Sequence, residues 1–247
     1  MTDRRRVRVV VGAPVLGAFA ALLGFGLSGA PRFGEFHGVY GELLNTIAVP
    51  QRHTTNVVTA IVFDYRGFDT MGEEFILFAA VIGVVLLLRG EREPPGADAD
   101  RVESDAVRTF GSLMVGVLVL VGLWLAAFGL VTPGGGFQGG VVIAGGVVVV
   151  YLGAGYAAWR RFGDERLLDP YEATGAAAFV VVGLAALVSG TAFLHNLLGA
   201  GGEPGTLLSG GSMNLLNWAV AVEVAAANLV LYTEFLESYL VPQLRDR

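Results

Sequence analysis

Thr132-Pro133-Gly134-Gly135-Gly136-Phe137-Gln138-Gly139-Gly140 separates two long apolar runs, and its reading decides the fold. Five of its nine residues are Gly, and its only sizeable side chains are Phe137 and Gln138. Pro133 stops the helix before it, because Pro lacks the N–H and crowds the preceding turn. The glycines allow backbone conformations closed to other residues. The run before the loop predicts a helix over about 110–131, and the run after it a helix over about 139–159. The loop itself offers backbone groups, one amide and one ring.

Working outward, the whole chain reads as membrane-embedded. Of its 247 residues 54% are hydrophobic and 15% charged, against roughly 25% charged in a soluble domain. Mean hydropathy is +0.63. Gly occurs 36 times, about twice ordinary usage, as expected where helices pack backbone to backbone in lipid. The absences narrow the chemistry. There is no Cys, which excludes disulfides, thiolate nucleophiles and Cys-ligated clusters. All sixteen basic residues are Arg, so there is neither a Schiff-base lysine nor a phosphate-loop lysine. The glycine stretch is therefore not a nucleotide loop. His37, His53 and His195 lie far apart, without metal-ligand spacing. No cofactor and no metal are expected. The net charge of −6 does not point to nucleic acid.

Four arginines within Met1–Arg8 precede a 21-residue apolar run, Val9–Gly29. That is longer than a signal-peptide core of about 7–15 residues, so it reads as a first transmembrane helix. Residues 30–55 read as an external loop. Asn56–Phe63 is apolar but too short to span. A charged hook, Asp64-Tyr65-Arg66-Gly67-Phe68-Asp69-Thr70, follows. Thr70 and Glu73 have the spacing of a capping box for a second helix ending near Leu88. Residues 89–108, with Pro94-Pro95-Gly96, read as a solvated linker between two halves. After the fourth helix, Asp169, Pro170 and Glu172 read as N-cap, N1 and N3 of a fifth over about 171–194. A Gly-rich outer loop leads to the sixth, about 213–237.

The expected fold is thus all-α: a polytopic protein of six transmembrane helices with both termini cytoplasmic. The arginines favour that orientation. Thirteen fall inside, and three, Arg32, Arg52 and Arg66, fall outside.

Several polar groups lie at membrane depth. In the fourth helix Gly139, Gly146 and Gly153 recur every seven residues and share one face, extended by Ala157, which reads as a packing stripe. In the sixth, Asn214, Asn217 and Asn228 fall within about 60° of one another. Glu223 and Glu234 fall within about 20° of each other on the opposite face. Buried carboxylates at this depth cost several kcal/mol unless partnered or hydrated. No basic residue is expected at the depth of Glu223. Its partner is then another subunit, water, a proton or a cation, which makes it either an interface carboxylate or a place on an ion path. Glu234 lies nearer the inner surface, where water can solvate it. The hook residues Asp64, Arg66, Asp69 and Glu73 form either a local salt-bridged turn, or a docking surface or ion-pair relay at a subunit contact. His195 is read as ending the fifth helix, as a helix-end group or a proton relay. Gln138 reads as a hydrogen-bonding plug for the glycine loop.

Two of these motifs resemble known families. Pro133-Gly134-Gly135-Gly136-Phe137-Gln138-Gly139-Gly140, with the apolar helix after it, resembles the B-type (MnhB/MrpB-like) component of Mrp-type multisubunit Na+/H+ antiporters, over about 108–240. Residues Asn56 to Glu73 resemble the small E-type component of membrane-bound hydrogenases, and equally the C-terminal end of the large Mrp A component. The resemblance implies a fusion of two modules, 1–88 and 109–247, joined by the linker 89–108. It implies an accessory subunit of a cation/proton antiporter in a prokaryotic plasma membrane, not an enzyme by itself. Its partners would be large A- and D-type antiporter-like subunits, small C-, E-, F- and G-type subunits, membrane lipid, and transported Na+ and H+. The alternative it leaves open is the ion-translocating arm of a redox complex, such as a hydrogenase or a complex I-like oxidoreductase. Ion-pathway candidates are Glu223, Asn217, Asn228, His195 and Glu234.

Overall fold

In hydrocarbon every backbone N–H and C=O must be bonded within its own segment, so long apolar runs fold as helices. The computed structural model describes residues 2–30, 34, 38–89 and 104–245, and no strand occurs among them. The helices are α1 (Thr2–Ser28), α2 (Val39–Arg52), α3 (Val57–Ala60), α4 (Gly67–Leu88), α5 (Asp105–Ala127), α6 (Gly136–Ala154), α7 (Tyr156–Trp159), α8 (Glu165–Val188) and α9 (Ser212–Arg245). A π-helical turn, Ile61–Tyr65, joins α3 to α4. Five of them, α4, α5, α6, α8 and α9, are long and apolar enough to cross a membrane; α1 carries a shorter apolar stretch, Gly12–Ser28. The chain divides into two compact units, Met1–Glu42 and Leu43–Arg247, and all five long helices belong to the second.

Within that second unit α6 packs closely against both α5 and α9, because its glycines allow contact on two faces. The stripe Gly139, Gly146 and Gly153 packs on α5, as its spacing predicts. A Cβ on Gly139 would stand 2.6 Å from the Gly122 carbonyl oxygen, and one on Gly153 3.0 Å from Gly111 Cα. Gly136 and Gly140 face α9 instead; a Cβ on Gly136 would overlap the Asn217 carbonyl oxygen. Such approach lets dispersion and backbone dipoles hold helices together where lipid offers no hydrophobic drive. Ala157 does not extend the stripe. Gly155 adopts φ 75° and ends α6, and Ala157 belongs to the short α7.

Two apolar clusters fill the unit. One gathers Phe63, Leu130, Phe179, Met213, Leu216, Val220 and Val224. The other gathers Val81, Val147, Tyr156, Trp159, Ala227 and Val230. Along α9 the first ends at Val224 and the second begins at Ala227, so Glu223 stands where they meet.

Some boundaries differ from the sequence reading. Part of the supposed outer loop is the helix α2, whose Leu44 and Ala48 are buried. The capping box at Thr70 and Glu73 does not form. Helix α4 already starts at Gly67, and the Thr70 hydroxyl donates to the Val62 carbonyl of the π turn (2.6 Å). Helix α8 starts at Glu165, capped by Asp164, whose carboxylate accepts from Arg166 N at 3.0 Å. Asp169 and Pro170 therefore lie inside it. Helix α8 also ends earlier, at Val188, and leaves His195 in the following loop. Most of the 89–108 linker, and His37, lie outside the described residues.

Candidate functional site

The glycine loop is locked by two partners distant in sequence. Gly134 and Gly135 take φ of 149° and 144°, a region side-chain-bearing residues rarely enter. The turn before them, Gly129 to Thr132, is held by the short segment 54–59. Asn56 Nδ2 donates to the carbonyls of Gly129 (2.7 Å) and Thr132 (3.0 Å). Thr59 Oγ1 donates to Gly129 O (2.6 Å), Thr55 Oγ1 to Val131 O (2.6 Å), and Thr54 Oγ1 to Leu130 O. From the other side Asn217 of α9 accepts from Gly136 N (2.7 Å) and donates to Ala126 O (2.8 Å). The orphan carbonyls and amides that any helix end leaves are thus satisfied by side chains. The plug of the loop is Asn217. Gln138 is exposed and makes no side-chain hydrogen bond among the described residues; Phe137 beside it is 51% exposed.

Deeper in the bundle the situation reverses. Glu223 is fully buried, and neither of its carboxylate oxygens has a hydrogen-bond partner. The charged groups acting on it are Glu74 of α4 and Glu172 of α8, both also buried. The carboxyl groups of Glu74 and Glu223 lie within hydrogen-bonding reach of each other. Glu74 Oε2 and Glu172 Oε1 likewise lack partners. The approach is set by Gly175, where a Cβ would collide with Glu223 Cβ. Glu172 lies three residues before it, on the same face of α8. The neighbours of Glu223 are therefore two further acids of the same chain.

Glu234 is paired rather than solvated. It is 1% exposed and accepts from Arg89 Nε at 2.5 Å. Arg89 also binds Asp169, through Nη1 at 2.8 Å. Asn228 donates to Val224 O (2.8 Å) within its own helix. Asn214 donates to Leu207 O (2.6 Å).

The hook splits into two pairs. Arg66 Nε binds Asp69 at 2.6 Å, and Asp64 is taken by Arg52 at 2.6 Å, with Arg52 also stacked over Tyr65. With the exposed His195, residues Asp64–Asp69 line a cavity of about 670 Å³. A second cavity of about 250 Å³ lies between the glycine loop and α4, lined by Thr59, Thr70, Glu73, Glu74, Gly135 and Gln138. The exposed Glu73 thus opens onto the loop and stands next to the buried Glu74.

Both acids that the sequence reading missed lie on the buried faces of their helices. Buried positions of α4 run Gly67, Thr70, Glu74, Val81, and those of α8 include Leu168, Glu172, Ala176 and Phe179. Each acid sits on the core-facing stripe of its helix. Reading Glu172 as a cap residue hid that pattern.

Comparison with known proteins agrees with this architecture. Residues 106–230 match the model for a domain related to the MnhB subunit of Na+/H+ antiporter. The chain belongs to that MnhB-related family. Residues 4–105 match the model for the E subunit of MBH. An uncharacterized protein of Methanocaldococcus jannaschii is 28% identical over 195 residues, covering 69% of this chain and 73% of that protein. A probable A/B subunit of a K+/H+ antiporter of Rhizobium meliloti is 32% identical over 137 residues, 46% of this chain but only 13% of that one. Among solved structures, a chain of the membrane-bound sulfane sulfur reductase, an archaeal respiratory membrane complex, superposes with a TM-score of 0.70 at 28% identity, over 96% of this chain and 98% of that one. A chain of the Mrp complex from Dietzia sp. superposes with a TM-score of 0.66 at 25% identity, over 93% of this chain and 26% of that one. The MnhB-related chain thus corresponds to a small part of the K+/H+ antiporter subunit and of the Mrp-complex chain. It corresponds to nearly the whole of one chain in the reductase.

Proposed function

We propose that this chain is an accessory integral-membrane subunit of an Mrp-type multisubunit cation (Na+)/proton antiporter, embedded in a prokaryotic plasma membrane. It helps to assemble the complex and carries part of an ion pathway around Glu223. The carrying observation is the buried, unpartnered carboxylate inside an MnhB-related bundle. An intramembrane acid without a counter-charge is costly and is kept where ions move. Two modules, 1–88 and 109–247, joined by a linker over 89–108, account for the two family matches. The bonds from residues 54–59 to the turn at 129–132 give them one shared junction.

In this reading α1 is a sixth span and both termini face the cytoplasm. Among the described residues, the bundle end opposite the glycine loop carries Arg89, Arg108, Arg160, Arg161 and Arg166. The loop end carries Arg52 and Arg66. That asymmetry supports placing the glycine loop outside. The exposed hook and Phe137 then meet the large A- and D-type and small C-, E-, F- and G-type subunits.

The test is to purify the tagged chain, identify what comes with it and measure cation-driven proton exchange in liposomes. Antiporter-like subunits should co-purify, and the isolated chain should transport nothing. The end-to-end match with a reductase chain supports a second reading, the membrane arm of a redox complex. With no Cys in this chain, iron–sulfur proteins would then co-purify and hold the metal centres.

A further inference from the structure

Glu74, Glu223 and Glu172 come from three helices, α4, α9 and α8, and are buried side by side without hydrogen-bond partners for four of their oxygens. Three carboxylates this close and this dry cannot all be ionised, because burial and like charge both oppose it. A carboxylate can only accept; a shared proton converts one of each facing pair into a donor and satisfies both. The cluster has a polar region at each end. Glu74 lines the cavity beneath the glycine loop, where Glu73 and Gln138 also stand. At the other end Glu172 is acted on by Asp169 and Arg89, and Asp169 is half-exposed. The charged groups facing the cluster are therefore Glu73 and Arg89 from the two ends of α4, Asp169 from α8 and Glu234 from α9. Helix α6, also packed on α9, contains no acidic or basic residue.

We infer that Glu74, Glu223 and Glu172 form a proton relay within this single chain, running between the cavity beside the glycine loop and the Arg89–Asp169–Glu234 network. The inference rests on, and deepens, the reading of the chain as part of an ion-exchanging complex. Each hop breaks one carboxyl O–H bond and makes the next: Glu74 to Glu223, Glu223 to Glu172, Glu172 to Asp169. Glu74 is reloaded from cavity water and the half-exposed Asp169 releases its proton to solvent, so the chain ends with the charge it began with. The cargo is the proton rather than the cation. The acids form a string, and among the described residues no three acidic or histidine side chains converge as metal ligands.

The experiment uses the purified complex in liposomes, with Glu74→Gln, Glu172→Gln, Glu223→Gln and Glu223→Asp. Each Gln variant should keep the full partner set and lower proton exchange on the order of a hundredfold, as when a positioned proton donor is removed. Glu223→Asp should retain part of the exchange. Infrared difference spectra of the wild-type complex should show a protonated-carboxyl C=O band that shifts in D2O and is missing from Glu223→Gln. Full exchange by Glu74→Gln and Glu172→Gln would overturn the relay, and so would the absence of that band. Loss of partners from Glu223→Gln would overturn it too. Gln mimics the protonated acid, so dissociation would mean that a partner's cation needs the carboxylate. If the wild-type complex exchanged no cation for protons, the antiporter reading would fall, and the infrared band alone would decide the relay.

Discussion

Six residues apart on α9, Asn217 and Glu223 are both buried and polar, yet their surroundings are opposite. Around Asn217 the polar groups are matched. Its oxygen takes a backbone N–H, its amide serves a carbonyl, and the turn it closes is bonded again by Asn56 and Thr59. Around Glu223 nothing is matched, and its nearest charged neighbours have its own sign. A fold needs buried polar groups to be satisfied. The junction at Asn217 meets that need and reads as architecture. The acid at Glu223 does not meet it, and the proposed relay is what gives that acid a task. The contrast can be broken or sharpened by substitution.

The largest stability loss belongs to the junction. Gly136→Ala drives a methyl into the Asn217 carbonyl oxygen, and only separation of α6 from α9 relieves it. A cost of about 4 kcal/mol is expected, above the usual range for an added methyl because backbone and not a flexible side chain must move. Thermal unfolding of the purified chain in detergent measures it. A melting temperature unchanged from wild type would mean that the α6–α9 contact is looser than described.

Next comes the paired acid on the same helix. Arg89→Ala leaves Glu234 buried and alone, at a cost of about 3 kcal/mol. Adding Glu234→Gln should recover much of it, since the charge then disappears with its partner. Failure of the double variant to recover would show that Arg89 acts through Asp169 instead. This pair also shows what the sequence hides. Arg89 and Glu234 are separated by 145 positions, and no local pattern links a residue at a helix end to one in another helix. Five of the spans, the glycine stripe and the unusual acid at 223 are legible, because each is written in one helical period. The helix start at Glu165 is less legible. Asp164 and Asp169 both satisfy capping rules, and Pro170, allowed at a first turn, drew the boundary five residues late. Glu74 is hidden for another reason. It follows Glu73, and only the tertiary choice of face distinguishes the exposed acid from the buried one.

A smaller effect is expected at the plug itself. Asn217→Ala leaves Gly136 N and Ala126 O without partners, at about 2 kcal/mol for the buried pair of groups. Asn217→Asp keeps the acceptor and loses the donor to Ala126 O, and adds a buried charge, so it should be no better than alanine. Exchange activity should fall only as far as the fraction of folded complex falls, which immunoblotting of the membrane fraction can normalise. Loss of exchange at full complex levels would move Asn217 from architecture to pathway.

Glu223→Gln should change stability least, within about 0.5 kcal/mol of wild type. Gln has the shape of the protonated acid and needs no counter-charge, and replacing a buried, unmatched acid by a neutral group of equal size is often neutral or stabilising. The matched site makes the sign informative. At Asn217 a change of one polar atom must cost, because each atom has a partner to lose. At Glu223 there is no partner in this chain to lose. Gln can also donate to Glu74, which a carboxylate cannot. A melting temperature at or above wild type, together with lost proton exchange, therefore separates the two sites cleanly: one is tuned for the fold, the other is held against it. A fall of the size expected at Asn217 would reverse that conclusion, because it would require a partner for the ionised carboxylate at the contact with a neighbouring protein of the complex.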